Sequence, residues 1–181
     1  MPPRPAHAAP PECPDSARRR PSRAGAATLA RMAERVGDGL PRQALAALNG
    51  FGPYRFSAVY AFDGDLLVNR LLFDRENPAD DGGGTAPVAS TYCAFIRTLD
   101  APFELWDSLV DDRVHGHAKK AVVRAYLGVP VRDADGRCIG TLCCFDFCAV
   151  APPRSLRTAM DEAASLFAPM LQGASATVEP G

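Results

Sequence analysis

The chain has 181 residues, 47% of them hydrophobic, and it carries 20 basic and 21 acidic side chains for a formal net charge of −1. This length is enough to bury one sizeable hydrophobic core, so a single domain is expected. A nearly neutral chain has no long-range field that would draw it to nucleic acid or anionic lipid. No apolar run approaches the roughly 20 residues that span a bilayer, so neither nucleic acid nor membrane is expected as a partner.

Both ends of the chain have compositions typical of disorder. Residues 1–23 contain seven prolines and several arginines but almost no large apolar side chains, which is too little to offset the entropy of ordering them. We expect a disordered arm over residues 1–23, one domain over residues 24–172 and a disordered tail over residues 173–181. The arm lacks the apolar core of a secretory signal peptide, so a cytoplasmic location with free thiols is expected. The alanine, arginine and proline usage favours a bacterial source.

Two short helices are predicted before any strand. The first covers residues 24–36, where apolar side chains at helical spacing form one stripe. Its members are Leu29, Met32, Ala33 and Val36. The second helix begins at Pro41, a residue suited to a first helical turn, and ends at Asn49-Gly50.

A β-hairpin follows these helices. Residues 54–62 alternate, the turn Asp63-Gly64-Asp65 reverses the chain, and a second strand covers residues 66–73. Residues 75–86 include three consecutive glycines and are too polar for a regular element. They are predicted to form a flexible loop, a candidate lid for a pocket.

The second half of the chain predicts helix, strand and hairpin in turn. A helix is expected over residues 88–99 and a short strand over residues 103–106, followed by an irregular polar segment over residues 107–120. A second hairpin joins residues 122–132 to residues 137–150 through an Asp-Ala-Asp-Gly turn, and both strands are apolar enough to be covered on two faces. An amphipathic helix over residues 155–171 closes the domain.

This order of elements predicts an antiparallel sheet with helices packed on it. Residues 126–147, YLGVPVRDADGRCIGTLCCFDF, resemble the C-terminal hairpin of GAF domains. Residues 90–95 (STYCAF), 103–107 (FELWD) and 111–113 (DDR) resemble the central helix, short strand and following segment of that family. The resemblance covers about residues 25–172. It implies an α+β, GAF-like (PAS-like) fold: a twisted antiparallel sheet of five or six strands, with terminal helices on one face and a ligand cavity on the other.

Strand parity indicates which side chains face that implied cavity. Arg124 and Tyr126 share one parity, whereas the other parity is purely apolar and should pack on the terminal helices. An arginine on the cavity face would favour an anionic or carbonyl ligand; the alternative is an ion pair with a surface carboxylate. Several aromatic side chains are available as further walls or as ordinary core. The expected ligand-binding residues are Tyr60, Phe73, Tyr92, Cys93, Trp106, His117, Arg124 and Tyr126.

The cysteines and histidines leave other functions open. Free-methionine sulfoxide reductases are GAF-fold enzymes that use cysteines in the cavity, but here the segment 107–120 has no cysteine, and the adjacent Cys143 and Cys144 should point to opposite faces. His115 and His117 are candidates for a metal, a haem or a bilin contact, yet a His-x-His in a polar loop is usually solvated. No Cys-His dipeptide of the kind that anchors bilins is present.

The function expected from the sequence is a small-molecule-binding sensory domain that acts in signal transduction through a partner protein. The chain lacks the nucleophile, zinc, kinase and dinucleotide motifs, so no enzymatic activity is expected. The alternatives are a GAF-fold free-methionine sulfoxide reductase and a dimerisation scaffold that binds no ligand. No ligand or cofactor can be named from these residues. A homodimer is expected through the two terminal apolar stripes.

Overall fold

The structure is a computed structural model that describes residues 26–37, 39–80 and 82–172. The predicted arm over residues 1–23 and the predicted tail over residues 173–181 lie outside the described residues.

The described chain contains helices and strands in the predicted order. The helices are α1 (Ala26–Gly37), α2 (Pro41–Asn49), α3 (Cys93–Leu99), α4 (Arg154–Ala163) and α5 (Ala168–Gln172). The strands are β1 (Phe56–Asp63), β2 (Leu66–Asp74), β3 (Thr85–Pro87), β4 (Phe103–Leu105), β5 (Ala125–Arg132) and β6 (Cys138–Asp146).

All of these strands form one six-stranded antiparallel sheet in the order β3-β2-β1-β6-β5-β4. The two predicted hairpins are β1–β2 and β5–β6, and pairing of β1 with β6 joins them at the centre of the sheet. The predicted α+β architecture is therefore confirmed, with six strands.

Strand β3 corrects one local prediction. Residues 75–86 were expected to be irregular throughout, but Thr85, Ala86 and Pro87 pair with the start of β2 at the edge of the sheet. An edge position suits Pro87 because proline has no N–H to donate to a further strand.

The sheet is covered on both faces, and each central strand divides its side chains between them. On β6, Leu142 and Cys144 face the terminal helices, whereas Cys143 faces the opposite side. The helix-side core contains fully buried large side chains from α1, α2, α4 and the turn after α4. They include Met32, Leu45, Leu48, Leu156, Met160 and Phe167.

The apolar stripes of the terminal helices are used within the chain. Met32 of α1 and Leu156 and Met160 of α4 are 0% exposed in the helix-side core. These stripes were expected to bind a symmetry mate, but they are already buried within the chain. The closing helix is also interrupted, because a 3-10 turn over Ala164–Phe167 separates α4 from α5. Pro169 lacks the N–H that a continuous helix would need at that position.

Tyr54 provides a test of the helix-side core. Its side chain is 0% exposed, and its hydroxyl has no hydrogen-bond partner among the residues the structure describes. Burial raises the pKa of Tyr54 strongly. Because a buried hydroxyl without a partner costs about 1–3 kcal/mol, Tyr54→Phe is expected to raise the free energy of unfolding by about 1 kcal/mol in urea denaturation.

The matched control is Tyr126→Phe. The Tyr126 hydroxyl lies 3.3 Å from Cys93 Sγ, so its removal is expected to bring no gain in stability. A Tyr54→Phe variant less stable than the wild type would show that the Tyr54 hydroxyl is satisfied.

Candidate functional site

A cavity of about 400 Å³ lies on the face of the sheet away from the terminal helices. Its floor comes from β1, β2, β5 and β6, and its roof comes from the start of α3 and from residues 119–123. The lining side chains are mainly apolar and aromatic. They include Tyr60, Leu67, Tyr92, Cys93, Val123, Tyr126, Cys143, Phe145 and Phe147.

Register and parity bring the floor residues together. Tyr60 on β1 is opposite Thr141 on β6, and Tyr126 on β5 is opposite Phe145 on β6. Gly128 keeps the floor open for the Tyr126 ring, since a Cβ there would lie 2.5 Å from the Tyr126 hydroxyl and 2.5 Å from Ile96 Cδ1. Any side chain at residue 128 would therefore displace both the Tyr126 ring and the end of the Ile96 side chain.

The Cys93 thiol, at the start of α3 in the roof, lies at the centre of a buried polar cluster that meets this floor. The Thr141 hydroxyl donates to Cys93 Sγ at 3.3 Å, and the Tyr126 hydroxyl lies 3.3 Å from the same sulfur. The Cys143 thiol and the Thr91 side chain also interact with this sulfur. The interaction with Cys143 is the largest of the effects that lower the pKa of Cys93, although burial opposes them.

The groups around Cys93 stay protonated at neutral pH. The hydrogen bond to Cys93, followed by burial, raises the pKa of Cys143. Burial and the Cys93 thiol raise the pKa of Tyr126. Cys144, on the opposite face, bonds the Ser57 hydroxyl at 3.1 Å, and burial raises its pKa to about 12. The predicted opposite orientations of Cys143 and Cys144 are thus observed, but a pairing of Cys143 with Cys93 was not anticipated.

The structure brings together four of the eight predicted site residues: Tyr60, Tyr92, Cys93 and Tyr126 all line the cavity. Their role in ligand binding stays a prediction. His117 lies behind this wall and stacks on Tyr92 with ring centroids 4.6 Å apart. Burial lowers the pKa of His117, which favours a neutral ring packed as part of the roof.

Phe73 and Trp106 do not lie in the cavity wall. Phe73 is opposite Ser57 in the hairpin and packs against the helix-side core, because it has the parity of Val59 and Ser57 rather than that of Tyr60. Trp106 is 57% exposed. Leu105 takes the inward position at the end of β4, so alternation turns the next side chain out to solvent.

Arg124 also lies outside the cavity lining, because its guanidinium is engaged by Asp107. Arg124 Nε and Nη2 donate to the two carboxylate oxygens of Asp107 at 2.8 Å each, and the side chains are 20% and 11% exposed. The alternative to ligand binding, an ion pair, is therefore formed, but with a buried carboxylate and not with one at the surface. A backbone hydrogen bond adds to the fork: the Ser108 N–H donates to the Arg124 carbonyl at 2.6 Å. Together they attach the irregular segment to the start of β5.

Sequence reasoning missed several cavity residues. Cys143, Phe145 and Phe147 share one strand parity, and this alternation was visible in the sequence. Residues 119–123 carried no such signal because they belong to no regular element.

Among the described residues, Cys93, Cys138, Cys143 and Cys144 are free thiols.

Neither a metal site nor a membrane span is found where the structure is described. No three His, Cys, Asp or Glu side chains in these ranges come close enough together to hold a metal ion. No helix in the described part of the chain is both long and apolar enough to cross a bilayer.

The Arg124–Asp107 fork predicts a stability change. Arg124→Met leaves the nearly buried Asp107 carboxylate without its charged partner, and we expect the free energy of unfolding at pH 7 to fall by about 1–3 kcal/mol. The hydrogen bond from Arg124 lowers the pKa of Asp107, so the stability contributed by this pair is lost as the pH falls through that lowered pKa. Acidification should therefore destabilise the wild type more than Arg124→Met in urea denaturation.

The double variant Arg124→Met/Asp107→Asn controls for the unpaired charge. It should recover part of the loss, because the remaining amide carries no charge to desolvate. Equal losses in the single and double variants would show that the unpaired Asp107 charge does not cause the loss, and no loss in either variant would show that the fork adds nothing to stability.

Comparison with solved structures identifies the fold. The GAF domain from the phosphoenolpyruvate-protein phosphotransferase of Acinetobacter superposes with a TM-score of 0.65 at 13% identity, over 86% of this chain and 96% of that chain. Free methionine-R-sulfoxide reductase from Neisseria meningitidis, in complex with its substrate, gives a TM-score of 0.63 at 17% identity, over 83% and 90%. The reduced form of fRMsr from Staphylococcus aureus gives 0.61 at 14% identity, over 80% and 93%. No curated protein matches the sequence significantly.

These structures correct the expectation that the chain is not an enzyme. The reductase from Neisseria meningitidis has the same fold and was solved with its substrate, so a fold of this kind gives no ground for excluding catalysis. Absence of the common catalytic motifs was an insufficient argument, because a thiol on a strand or helix needs no sequence signature of its own.

The family model for the GAF domain matches residues 41–171, which is more than half of the chain and extends from the start of α2 to the next-to-last residue of α5. The match agrees with the six-stranded sheet, its terminal helices and the cavity on the opposite face. The chain belongs to the GAF domain family.

Proposed function

We propose that this chain is a sensory domain of the bacterial cytoplasm that binds a small aromatic molecule in the cavity and regulates a partner protein. The observation that carries the proposal is the cavity itself, about 400 Å³ in volume and lined mainly by apolar and aromatic side chains. Cavities of this size and character are the usual form of a small-molecule site.

The walls indicate the chemistry of the ligand. Tyr60, Tyr92 and Tyr126 offer ring faces and edges for an aromatic body. The one charged side chain among the lining residues is Lys119, which is exposed on the roof segment. A flat apolar molecule with an anionic group directed to Lys119 fits this arrangement. Arg124 is not expected to take part, because Asp107 holds its guanidinium.

The position of the cavity supports a regulatory role. Its roof is formed by the irregular segment 119–123 and the start of α3, which join the sheet through few regular backbone bonds. A ligand that contacts this roof can shift its arrangement by binding one arrangement better than another.

Self-association is part of the proposal, but the terminal stripes are buried within the chain. Trp106, Leu109 and Val110 are 57%, 48% and 62% exposed and offer a different apolar surface.

Native mass spectrometry and binding of two probes test ligand occupancy. We expect protein purified from cells to carry a non-covalent small molecule, and the emptied protein to bind 2-naphthoate and 2-naphthol in calorimetric titration. Ala86→Phe places a large side chain in the cavity wall and should weaken both probes at least about tenfold, or ~1.4 kcal/mol. Ala79→Phe, at an exposed loop residue outside the lining, is the matched control and should bind as the wild type does.

Lys119→Met separates charge recognition from packing. It should weaken 2-naphthoate while leaving 2-naphthol unchanged, because only the carboxylate uses the ammonium group. A wild-type protein that carries no small molecule and binds neither probe would contradict the proposal and favour the scaffold alternative.

A second function, thiol-dependent sulfoxide reduction, is favoured by one observation: the thiols of Cys93 and Cys143 both line the cavity and interact with each other. Two thiols in contact can supply the two electrons that reduce a sulfoxide. If the chain has this activity, NADPH-coupled turnover of free methionine-R-sulfoxide with thioredoxin and its reductase should be lost in Cys93→Ser and retained in Cys138→Ser. No turnover by the wild type would eliminate this function without affecting the ligand-binding proposal.

A further inference from the structure

The protic groups around Cys93 Sγ are arranged for a negative sulfur. Thr141 donates its hydroxyl hydrogen to this sulfur, and the hydroxyl of Tyr126 and the thiol of Cys143 also reach it. A neutral thiol is a weak acceptor and would leave such donors poorly satisfied. Cys93 is 3% exposed and lines the cavity, so a small reagent can reach its sulfur from the cavity. Cys143 is 0% exposed, and in this proposal it has to reach only Cys93.

We propose that Cys93 and Cys143 form a peroxide-reactive pair that closes to a reversible disulfide between α3 and β6 at the cavity, with Cys93 as the attacking thiol. The structure favours small organic hydroperoxides as the substrate class, because the cavity walls are mainly apolar and only Lys119 among the lining residues is charged. This proposal goes beyond ligand sensing and requires neither a bound ligand nor sulfoxide turnover.

The first step transfers one oxygen atom. The Cys93 thiolate attacks the terminal oxygen of the hydroperoxide, the O–O bond breaks, and a sulfenic acid forms on Cys93. The alkoxide leaving group takes the proton of the Cys143 thiol and departs as an alcohol. The Cys143 proton is available at this point because its hydrogen bond to Cys93 and burial hold the pKa of Cys143 high.

The second step closes the disulfide. The Cys143 thiolate attacks Cys93 Sγ, the S–O bond breaks, and hydroxide leaves as water with the proton that Cys93 lost on ionising. Two thiols and one hydroperoxide thus become one disulfide, one alcohol and one water. Cys143 lies two residues from Thr141 on the same face of β6, and the Thr141 hydroxyl is 3.3 Å from Cys93 Sγ. The two sulfurs are therefore neighbours, and movement of their side chains is expected to bring them to the S–S distance of about 2.0 Å.

The fold supplies two internal controls. Cys138 is half-buried, and burial raises its pKa. Cys144 adjoins Cys143 in sequence but lies in the helix-side core, bonded to Ser57. Neither sulfur lines the cavity, so neither should react as Cys93 does.

The test uses the full chain, reduced with dithiothreitol and desalted, then treated with one equivalent of cumene hydroperoxide. Peptide mapping without reduction should find a Cys93–Cys143 disulfide, distinct from any bond of Cys148, and dithiothreitol should reverse it. In Cys143→Ser, dimedone should label a sulfenic acid on Cys93. Cys138→Ser should behave as the wild type, and Cys93→Ser should form neither product.

The alkylation rate of native Cys93 gives a second measurement that does not depend on a variant folding. Iodoacetamide should modify Cys93 faster than Cys144 at pH 7, with a pH profile centred below that of Cys138. Thr141 is a positioning residue in this proposal. Thr141→Val should slow the alkylation of Cys93 at pH 7 at least about tenfold and move the midpoint of its pH profile upward, and Thr141→Ser should restore both.

The proposal is overturned if peroxide produces no Cys93–Cys143 linkage in the folded wild type, or if Cys93 is alkylated no faster than Cys144. A linkage formed with equal yield in Thr141→Val and with an unchanged pH profile would overturn the assigned role of the hydroxyl cluster. Neither result depends on whether 2-naphthoate binds, so failure here is distinguishable from failure of the ligand-binding proposal.

Discussion

The antiparallel pairing of β1 with β6 is the constraint on which the rest of the molecule depends. These two strands lie at the centre of the sheet, and both of their faces are covered. Successive side chains therefore serve two different environments, the helix-side core and the cavity. A slip of one residue in this ladder would exchange Cys143 with Cys144 and remove the cavity thiol from Cys93, so the register is specified by both faces at once.

The buried polar chemistry of the cavity is made almost entirely from neutral groups. Ionised side chains of the described chain pair elsewhere, as in the Arg124–Asp107 fork and in the contact of Arg55 with Asp74 at 2.6 Å. Hydroxyl and thiol donors can stabilise a negative sulfur without the desolvation cost of burying a lysine or arginine beside it. Because the buried donors are neutral, they add no charge beside the aromatic walls of the cavity interior. Such walls suit an uncharged or weakly polar part of a ligand.

Much of the fold was predictable because strong local patterns agree with the final packing. The two hairpins, the helical stripes and the two-sided character of β5 and β6 follow from periodicity and turn chemistry. Errors arose where a side chain's direction depends on distant pairing. Phe73 was assigned to the wrong face because its direction is decided by its partner Ser57. Arg124 was assigned to the cavity because β5 was expected to include it, whereas the strand begins only at Ala125 and Arg124 pairs with Asp107. The Cys93–Cys143 contact joins residues far apart in sequence and could not be read from local spacing.

The outward orientation of Trp106 has a practical consequence. The sequence contains a single tryptophan, so the indole fluorescence of the protein arises from one position beside the irregular segment. The Val150 N–H donates to the Trp106 carbonyl at 3.0 Å, which fixes the backbone while the ring stays in water. Its fluorescence emission is therefore that of a solvated indole. A partner or second chain that covers this surface will shift the emission to shorter wavelength, so docking can be followed without a label.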